Sequence, residues 1–126
     1  MSAPEDPGEL DLVQRAITIR SITGSFVTGC CEWDEKAARR LRARPPLPGL
    51  TPEGIRDLLY NFVATQGGVL LQVAETRPEY QDRRFYYKAV IPVEGLVHGL
   101  FVEIVVDDDD PELPEVRLVN AHEQIR

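Results

Sequence analysis

The sequence has no long apolar run, and no stretch approaches the roughly 20 consecutive apolar residues that a membrane-spanning helix needs. Residues 1–9 are acidic and contain proline, and they show neither the basic start nor the apolar centre of a secretory signal. We therefore expect no membrane association and a cytoplasmic location.

Cysteine is scarce as well, because Cys30 and Cys31 are the only two in the chain. They are adjacent, and a disulfide between neighbouring residues is strained, which excludes the disulfide framework of a small secreted protein. No CxxC pair and no nearby histidine indicate a redox or metal site. The pattern favours two reduced thiols in a half-buried strand, and we expect no metal and no cofactor.

Positive charge is in the minority, with 14 lysines and arginines against 21 acidic residues and a net charge of −7. This balance argues against a protein that coats nucleic acid, which would normally be basic. The basic residues are nevertheless concentrated in one short segment, which contains Lys36, Arg39, Arg40, Arg42 and Arg44. Such a segment suits RNA phosphate or an acidic protein partner. Lys36, Arg39 and Arg40 are our candidates for nucleic-acid binding.

The length of 126 residues corresponds to about one domain. We predict a flexible tail over residues 1–9 and a single α+β domain over residues 10–126. Residues 10–22 fit a helix and a strand about equally, and we favour a helix at their start. Residues 25–33 are rich in small and β-forming residues and predict a short strand.

Two further helices have recognisable start signals. Asp34 is placed as an N-cap before the run of helix formers that ends at Arg44, where prolines follow. Thr51 is the N-cap of the next helix, and its apolar residues recur at the i, i+3, i+4 spacing of a buried stripe until Gly67 and Gly68 end it. Trp33 lies at the junction before the first of these helices and is expected to pack there.

After the glycines the apolar period changes from 3.6 to 2, which predicts strands at about 69–76, 83–92, 97–106 and 115–122. The short, turn-rich breaks between them favour antiparallel pairing of consecutive strands. The expected fold class is therefore α+β, with N-terminal helices packed on one face of a four-stranded antiparallel β-sheet, a meander.

One face of this sheet is left open to carry polar residues. Alternation places Arg84, Tyr86, Lys88 and Glu103 there, opposite the apolar face that the helices cover. A metal-independent ribonuclease needs a base, an acid and cations that stabilise the phosphate in the transition state. The residues of these chemical types form our candidate catalytic set, namely His122, Arg117, Lys88, Arg84 and Glu103. On the last predicted strand Arg117 alternates away from His122, and the sequence leaves open which of the two points outward. The alternative is a solvated sheet face with cross-strand ion pairs.

The acidic run at 107–110 offers carboxylate oxygens, which hard divalent cations prefer as ligands. It lacks the ligand spacing and the glycine of an EF-hand loop. A solvated turn that also protects the sheet edge is the favoured interpretation.

Two segments carry a resemblance to a known family. Residues 32–42 (EWDEKAARRLR) and 116–122 (VRLVNAH) resemble the first strand-to-helix junction and the final strand of BrnT-type toxins. Trp33, Asp34 and Lys36 match the junction, with Lys36 one place early, and Arg117 matches the final strand, where His122 takes the place of a basic residue. The Lys-His-Gly of the family is absent, and the first 30 residues are extra.

The resemblance implies a RelE/barnase-like fold and an endoribonuclease of a bacterial toxin–antitoxin type, or an inactive relative that kept the fold. Its partner would be RNA or an antitoxin-like protein, and a homodimer is left open. The competing hypothesis is a non-catalytic protein-binding or regulatory domain. Whether the chain is an enzyme stays undecided at this point.

Overall fold

The computed structural model describes residues 5–23, 26–110 and 112–125. Within these ranges the chain forms helices and strands in the following order: α1 (Pro7–Thr18), β1 (Arg20–Thr23), β2 (Phe26–Gly29), β3 (Cys31–Trp33), α2 (Glu35–Ala43), α3 (Pro52–Ala64), β4 (Leu71–Ala74), β5 (Phe85–Val93), β6 (Leu96–Asp108) and β7 (Glu115–Glu123). A short 3-10 turn, Pro78–Tyr80, lies between β4 and β5.

The predicted α+β class is confirmed, but the sheet differs from the predicted four-stranded meander. Strands β4 to β7 pair antiparallel with their chain neighbours, as expected. A fifth strand, β3, pairs parallel with β7, so the strand order is β3-β7-β6-β5-β4 and the sheet is mixed. Local alternation cannot reveal such a pair, because a parallel strand is reached only through a long crossover connection.

The segment predicted as one strand over 25–33 divides into two strands with different partners. β2 forms a two-stranded antiparallel hairpin with β1, whereas β3 joins the main sheet. Residues 24 and 25 lie outside the described residues. Cys30 and Cys31 are both buried and are not joined by a disulfide. Cys31 begins β3, and Cys30 lies just before it. Burial raises the pKa of the Cys30 thiol, which keeps it in its unreactive protonated form.

The first helix begins inside the segment that was expected to be a flexible tail. Pro7 occupies the first helical position, where its missing N–H is not needed, and the Asp6 carboxylate accepts a hydrogen bond from the Glu9 amide at 3.0 Å. Residues 1–4 lie outside the described residues. The ambiguous segment 10–22 contains both structures, since the helix ends at Thr18 and a strand begins at Arg20.

The two later helices begin where their caps predicted. Asp34 accepts from the Ala37 amide at 3.1 Å and Thr51 accepts from the Gly54 amide at 3.0 Å. The indole Nε1 of Trp33 donates to the Pro52 carbonyl at 2.7 Å. This bond ties the β3–α2 junction to the start of α3, so Trp33 has the packing role expected of it.

The core lies between the helices and one face of the main sheet. From the sheet it contains Phe85, Tyr87, Ala89, Ile91, Leu100, Val102 and Ile104, and from the helices Val13, Ala16, Ile17, Leu41, Ile55 and Leu59. The hydroxyl of Tyr87 donates to the Glu9 carboxylate at 2.7 Å and accepts from Gln72 at 2.8 Å, which fixes α1 to the sheet. Among the described helices, none has the length and apolar character to cross a membrane.

Candidate functional site

The face of the sheet opposite the helices carries most of the predicted catalytic residues. Lys88 lies directly opposite Glu103 on the neighbouring strand, and Glu103 lies opposite Asn120. His122 is paired with Phe101, and Arg117 with Val105. The strand register therefore brings Lys88, Glu103, Arg117 and His122 to one face. Simple alternation along β7 would put Arg117 and His122 on opposite faces, and a register shift in this strand brings them to the same one.

Glu103 is not open to solvent on that face, contrary to the expectation. Its side chain is only 9% exposed, and Nη2 of Arg77 lies 2.9 Å from its Oε2. The same guanidinium forms a two-pronged ion pair with Glu75, at 2.7 Å for each contact. The reason is the segment between β4 and β5, which was expected to be a simple turn but folds back across the sheet.

Two aromatic rings complete this arrangement. The guanidinium carbon of Arg77 lies 4.7 Å from the ring centre of Tyr80 and 4.9 Å from that of Tyr86, both within cation–π range. We call these five residues the Arg77 network: Glu75, Arg77, Tyr80, Tyr86 and Glu103.

The charges inside the Arg77 network satisfy one another. Hydrogen bonding from Arg77 lowers the pKa of the Glu75 carboxyl, and the carboxylates of Glu75 and Glu103 together raise the pKa of Arg77. The Glu75 side chain is 1% exposed, so its charge depends on this partner. A carboxylate held in this way is poorly placed to act as the base of a ribonuclease.

Arg84 does not join the other candidates. Its guanidinium reaches the Asp6 carboxylate at the start of α1, at 3.5 Å, and it covers the Phe85 ring at 5.0 Å. Its side chain is 70% exposed at this edge of the molecule. β5 begins only at Phe85, so Arg84 lies just outside the strand and its side chain turns toward the start of α1.

The remaining candidates on the open face are also engaged, with one exception. Arg117 pairs with Asp107 at 3.1 Å, and the ring of His122 stacks on Phe101 with centroids 4.6 Å apart. Lys88 has no ion-pair partner within the described part of the chain.

The acidic run 107–110 is a turn that uses its own carboxylates. Asp108 accepts from the Asp110 amide at 3.0 Å and Asp110 accepts from the Glu112 amide at 2.9 Å. Across residues 5–23, 26–110 and 112–125, no group of three or more metal-ligating side chains is close enough to hold an ion.

A second candidate site lies on the other side of β7, where this strand meets α2. A groove of about 400 Å³ is lined by Ala37, Arg40, Leu41, Ala43 and Arg44 from the helix side and by Val119, Asn120 and Ala121 from the strand. We call it the α2–β7 groove. Its volume lies within the range of about 300–1,000 Å³ that is common for ligand pockets.

The strand edge that borders this groove is unpaired. β3 pairs only with residues 116–118 of β7, and no other described strand pairs with β7 on that side. Val119 is an extra residue in β7, because Leu118 pairs with Ile104 and Asn120 pairs with Glu103. Such a bulge bends a strand at the point where its pairing ends.

The hydrogen bonds between β6 and β7 show which way the N–H and C=O groups of β7 point. The Gln124 amide donates to the Gly99 carbonyl on β6 at 2.9 Å. Because successive residues of a strand direct their N–H and C=O groups to opposite sides, those of Ala121 and Glu123 point away from β6, toward the unpaired edge.

The predicted nucleic-acid-binding residues separate around α2. Arg39 pairs with Glu35 at 3.7 Å and Arg42 with Glu53 at 2.7 Å, both on the exposed surface. Arg40 and Arg44 line the groove, and neither has an ion-pair partner among the described residues. Lys36 is exposed and lies one turn before Arg40, since residues four apart share a helix face.

Sequence reasoning missed Glu75, Arg77 and Tyr80, which lie at or in an expected turn. The groove was missed as well, although the basic segment that borders it was recognised. The chain matches no protein-family model, and neither a curated protein nor a solved structure was found to be similar to it. The resemblance of residues 32–42 and 116–122 to BrnT-type toxins therefore stays an interpretation of the sequence.

Proposed function

We propose that this chain is a non-catalytic protein-binding domain that takes up an extended segment of its partner in the α2–β7 groove. The observation that carries this proposal is the unpaired outer edge of β7 beyond Leu118, which lies beside a groove with an apolar floor. An extended peptide that adds to a sheet edge gains main-chain hydrogen bonds, and its side chains gain specificity from the neighbouring pocket.

The dimensions suit such a segment. The free stretch of β7 covers residues 119–123, which corresponds to about 16 Å of extended chain. Natural proteins usually cover or shorten exposed edges, because these edges promote aggregation. The opposite edge, β4, is only four residues long. A longer bare edge next to a groove is more readily explained by a partner that occupies it.

The ribonuclease hypothesis has less geometric support. Its base, Glu103, is paired with Arg77, and Arg84 is turned away from the set. Acid–base catalysis needs groups within hydrogen-bond reach of the reacting atoms, and Lys88 alone is unengaged among the cationic candidates on the open face. The hypothesis stays a prediction that an assay with single-stranded RNA in EDTA can test, using the double variant Arg117→Ala, His122→Ala as its control.

Edge-directed proline variants test the proposed function. Ala121→Pro removes an N–H that points to the free edge without removing a bond to β6, and Ala74→Pro is its match on the opposite edge. The Glu75 amide donates to the Arg84 carbonyl just before β5, so the N–H of Ala74 likewise points outward. Both variants should keep the circular dichroism spectrum and unfolding midpoint close to those of the wild type.

Peptides selected from a random display library on the wild-type chain should bind Ala74→Pro unchanged. Ala121→Pro should lower the affinity of these peptides by about tenfold or more. The variant removes one main-chain hydrogen bond to the peptide, and its loss also prevents the adjacent main-chain hydrogen bonds from forming. Equal binding to both variants would exclude the β7 edge. Failure to select any peptide, together with RNA cleavage that the double variant abolishes, would favour the enzyme.

A further inference from the structure

The α2–β7 groove combines a bare strand edge with two cationic groups that lack partners among the described residues. Arg40 and Arg44 line it, whereas their neighbours Arg39 and Arg42 are neutralised by Glu35 and Glu53. The guanidinium group is the side chain best suited to bind a carboxylate, because its planar fork donates two parallel hydrogen bonds. The groove is therefore positive in a chain whose net charge is −7.

From this charge pattern we infer that the segment bound in the α2–β7 groove is acidic, with carboxylates at two alternate positions that pair with Arg40 and Arg44. This inference rests on the proposed function, since it names the chemistry of the segment that adds to β7. The net negative charge of the chain repels an acidic ligand, so its binding would depend on local positive groups such as Arg40 and Arg44.

The spacing of the two arginines sets the spacing of the acidic residues. Residues four apart on a helix are about 6 Å apart along its axis. In an extended segment, side chains two apart point to the same face at a separation of about 6.6 Å. A carboxylate at positions i and i+2 would therefore meet Arg40 and Arg44, whereas carboxylates at i and i+1 would point to opposite faces.

The floor of the α2–β7 groove limits which ligand residues can lie next to the two acidic side chains. Ala37 and Leu41 are buried and Ala43 is small, so the helix side of the floor offers apolar contact, and Asn120 adds one uncharged polar side chain from the strand. Ala121 packs against the core on the same side of the sheet. The inferred ligand is thus an extended segment of β-forming residues in which two acidic side chains face α2.

Fluorescence anisotropy with three labelled nine-residue peptides tests the inference. All three are rich in Thr and Val, and they carry Glu at i and i+2, Gln at the same two positions, or Glu at i and i+1. The i, i+2 Glu peptide should bind most tightly, and its affinity should fall between 50 mM and 500 mM NaCl, because the pairs are exposed to solvent. The Gln peptide should show little salt dependence.

Matched protein variants locate the charge effect. Arg40→Glu and Arg39→Glu change the same charge on adjacent residues of one helix. Arg40→Glu should weaken the i, i+2 Glu peptide by about tenfold through a lost ion pair and a new repulsion. Arg39→Glu should weaken it by less than about twofold, because Arg39 is outside the groove and engaged with Glu35.

The outcomes separate this inference from the proposed function. Equal binding of the Glu and Gln peptides, with loss in Ala121→Pro and none in Arg40→Glu, would overturn the acidic ligand and leave strand addition intact. No binding by any peptide would overturn both. If a single-stranded RNA binds in an Arg40-dependent manner and the peptides do not bind, the occupant of the groove is nucleic acid. If the chain associates with itself through residues 107–110, the occupant is a second copy of the chain.

Discussion

The two sides of the β7 region handle positive charge in opposite ways. On the open face, Arg77 contacts two buried carboxylates and two tyrosine rings, so its positive charge is balanced by groups of the same chain. In the α2–β7 groove, Arg40 and Arg44 have no ion-pair partner among the described residues and lie beside an unpaired strand edge. A charge that is satisfied internally stabilises the fold, whereas an unpaired one at a groove is available to a ligand.

This difference also changes how the polar residues of the open face are interpreted. Their residue types are those of a catalytic set, and alternation placed Lys88 and Glu103 on this face but left open which of Arg117 and His122 points outward. The contacts that surround them are mostly those of a structural ion-pair network, since Glu103 is buried and Arg117 pairs with Asp107. Ionised side chains with shifted pKa values and ion-pair partners occur both in catalytic sites and in structural networks. The contacts of these residues therefore say more about their role than their residue types do.

Arg77→Ala should have the largest effect on stability. It leaves the buried carboxylates of Glu75 and Glu103 without a cation, which typically costs about 3–5 kcal/mol; we expect about 3 kcal/mol, because Arg77 is 37% exposed. Urea denaturation measures the change. Arg83→Ala is the control. Arg83 covers the Tyr80 ring at 5.3 Å and acts on Glu75 only through space, without a hydrogen bond, so its loss should cost less than about 1 kcal/mol. A loss for Arg77→Ala no larger than the control's would contradict a structural role.

Acid should affect the wild type and Arg77→Ala in opposite directions. The folded-state pKa of Glu75 is lowered by Arg77, so its stabilising contribution is present above the unfolded pKa of about 4.3 and is lost as pH falls through the folded pKa. In Arg77→Ala, burial without a cation should raise that pKa, and protonation should then stabilise the variant. Denaturation midpoints between pH 7 and pH 4 should rise for the variant while those of the wild type stay level or fall. Parallel curves would contradict the predicted coupling.

Arg40→Ala and Arg44→Ala should have the smallest effect on folding. Neither arginine has an ion pair to lose among the described residues, and surface substitutions of this kind usually change the free energy of unfolding by less than about 0.5 kcal/mol. The double variant should therefore unfold like the wild type while it loses affinity for the acidic peptide. A large loss of stability would show that these arginines hold the fold together, as Arg77 does, and would remove the contrast between the two regions.

Local sequence signals predicted those elements whose stabilising contacts are close in the chain. The caps at Asp34 and Thr51, and the apolar stripe after Pro52, each depend on residues within a few positions. The strands of the meander also follow from local alternation and from short turns. The start of the first helix was missed because Asp6, Pro7 and Glu9 were interpreted only by their composition, although they form a cap and a first turn.

The Arg77 network could not be predicted from the same local sequence signals. Alternation placed Glu103 and Tyr86 on the open face, but the contacts that bury Glu103 come from a loop whose conformation no periodicity describes. Glu75 and Arg77 could be recognised only as an oppositely charged pair at the end of a strand. Such a pair is too common on protein surfaces to indicate burial.

By itself the sequence determined the α+β class, the two capped helices, the order of the meander and the concentration of basic residues on one helix. The tertiary structure decided which of these charges are used internally and which face a ligand. The physical reason is distance along the chain: β3 reaches β7 only through a long crossover, and their pairing ends at Leu118, where the chain turns at Asp34 into α2. Only those long-range contacts create the bare edge beside Arg40 and Arg44 on which the proposed binding depends.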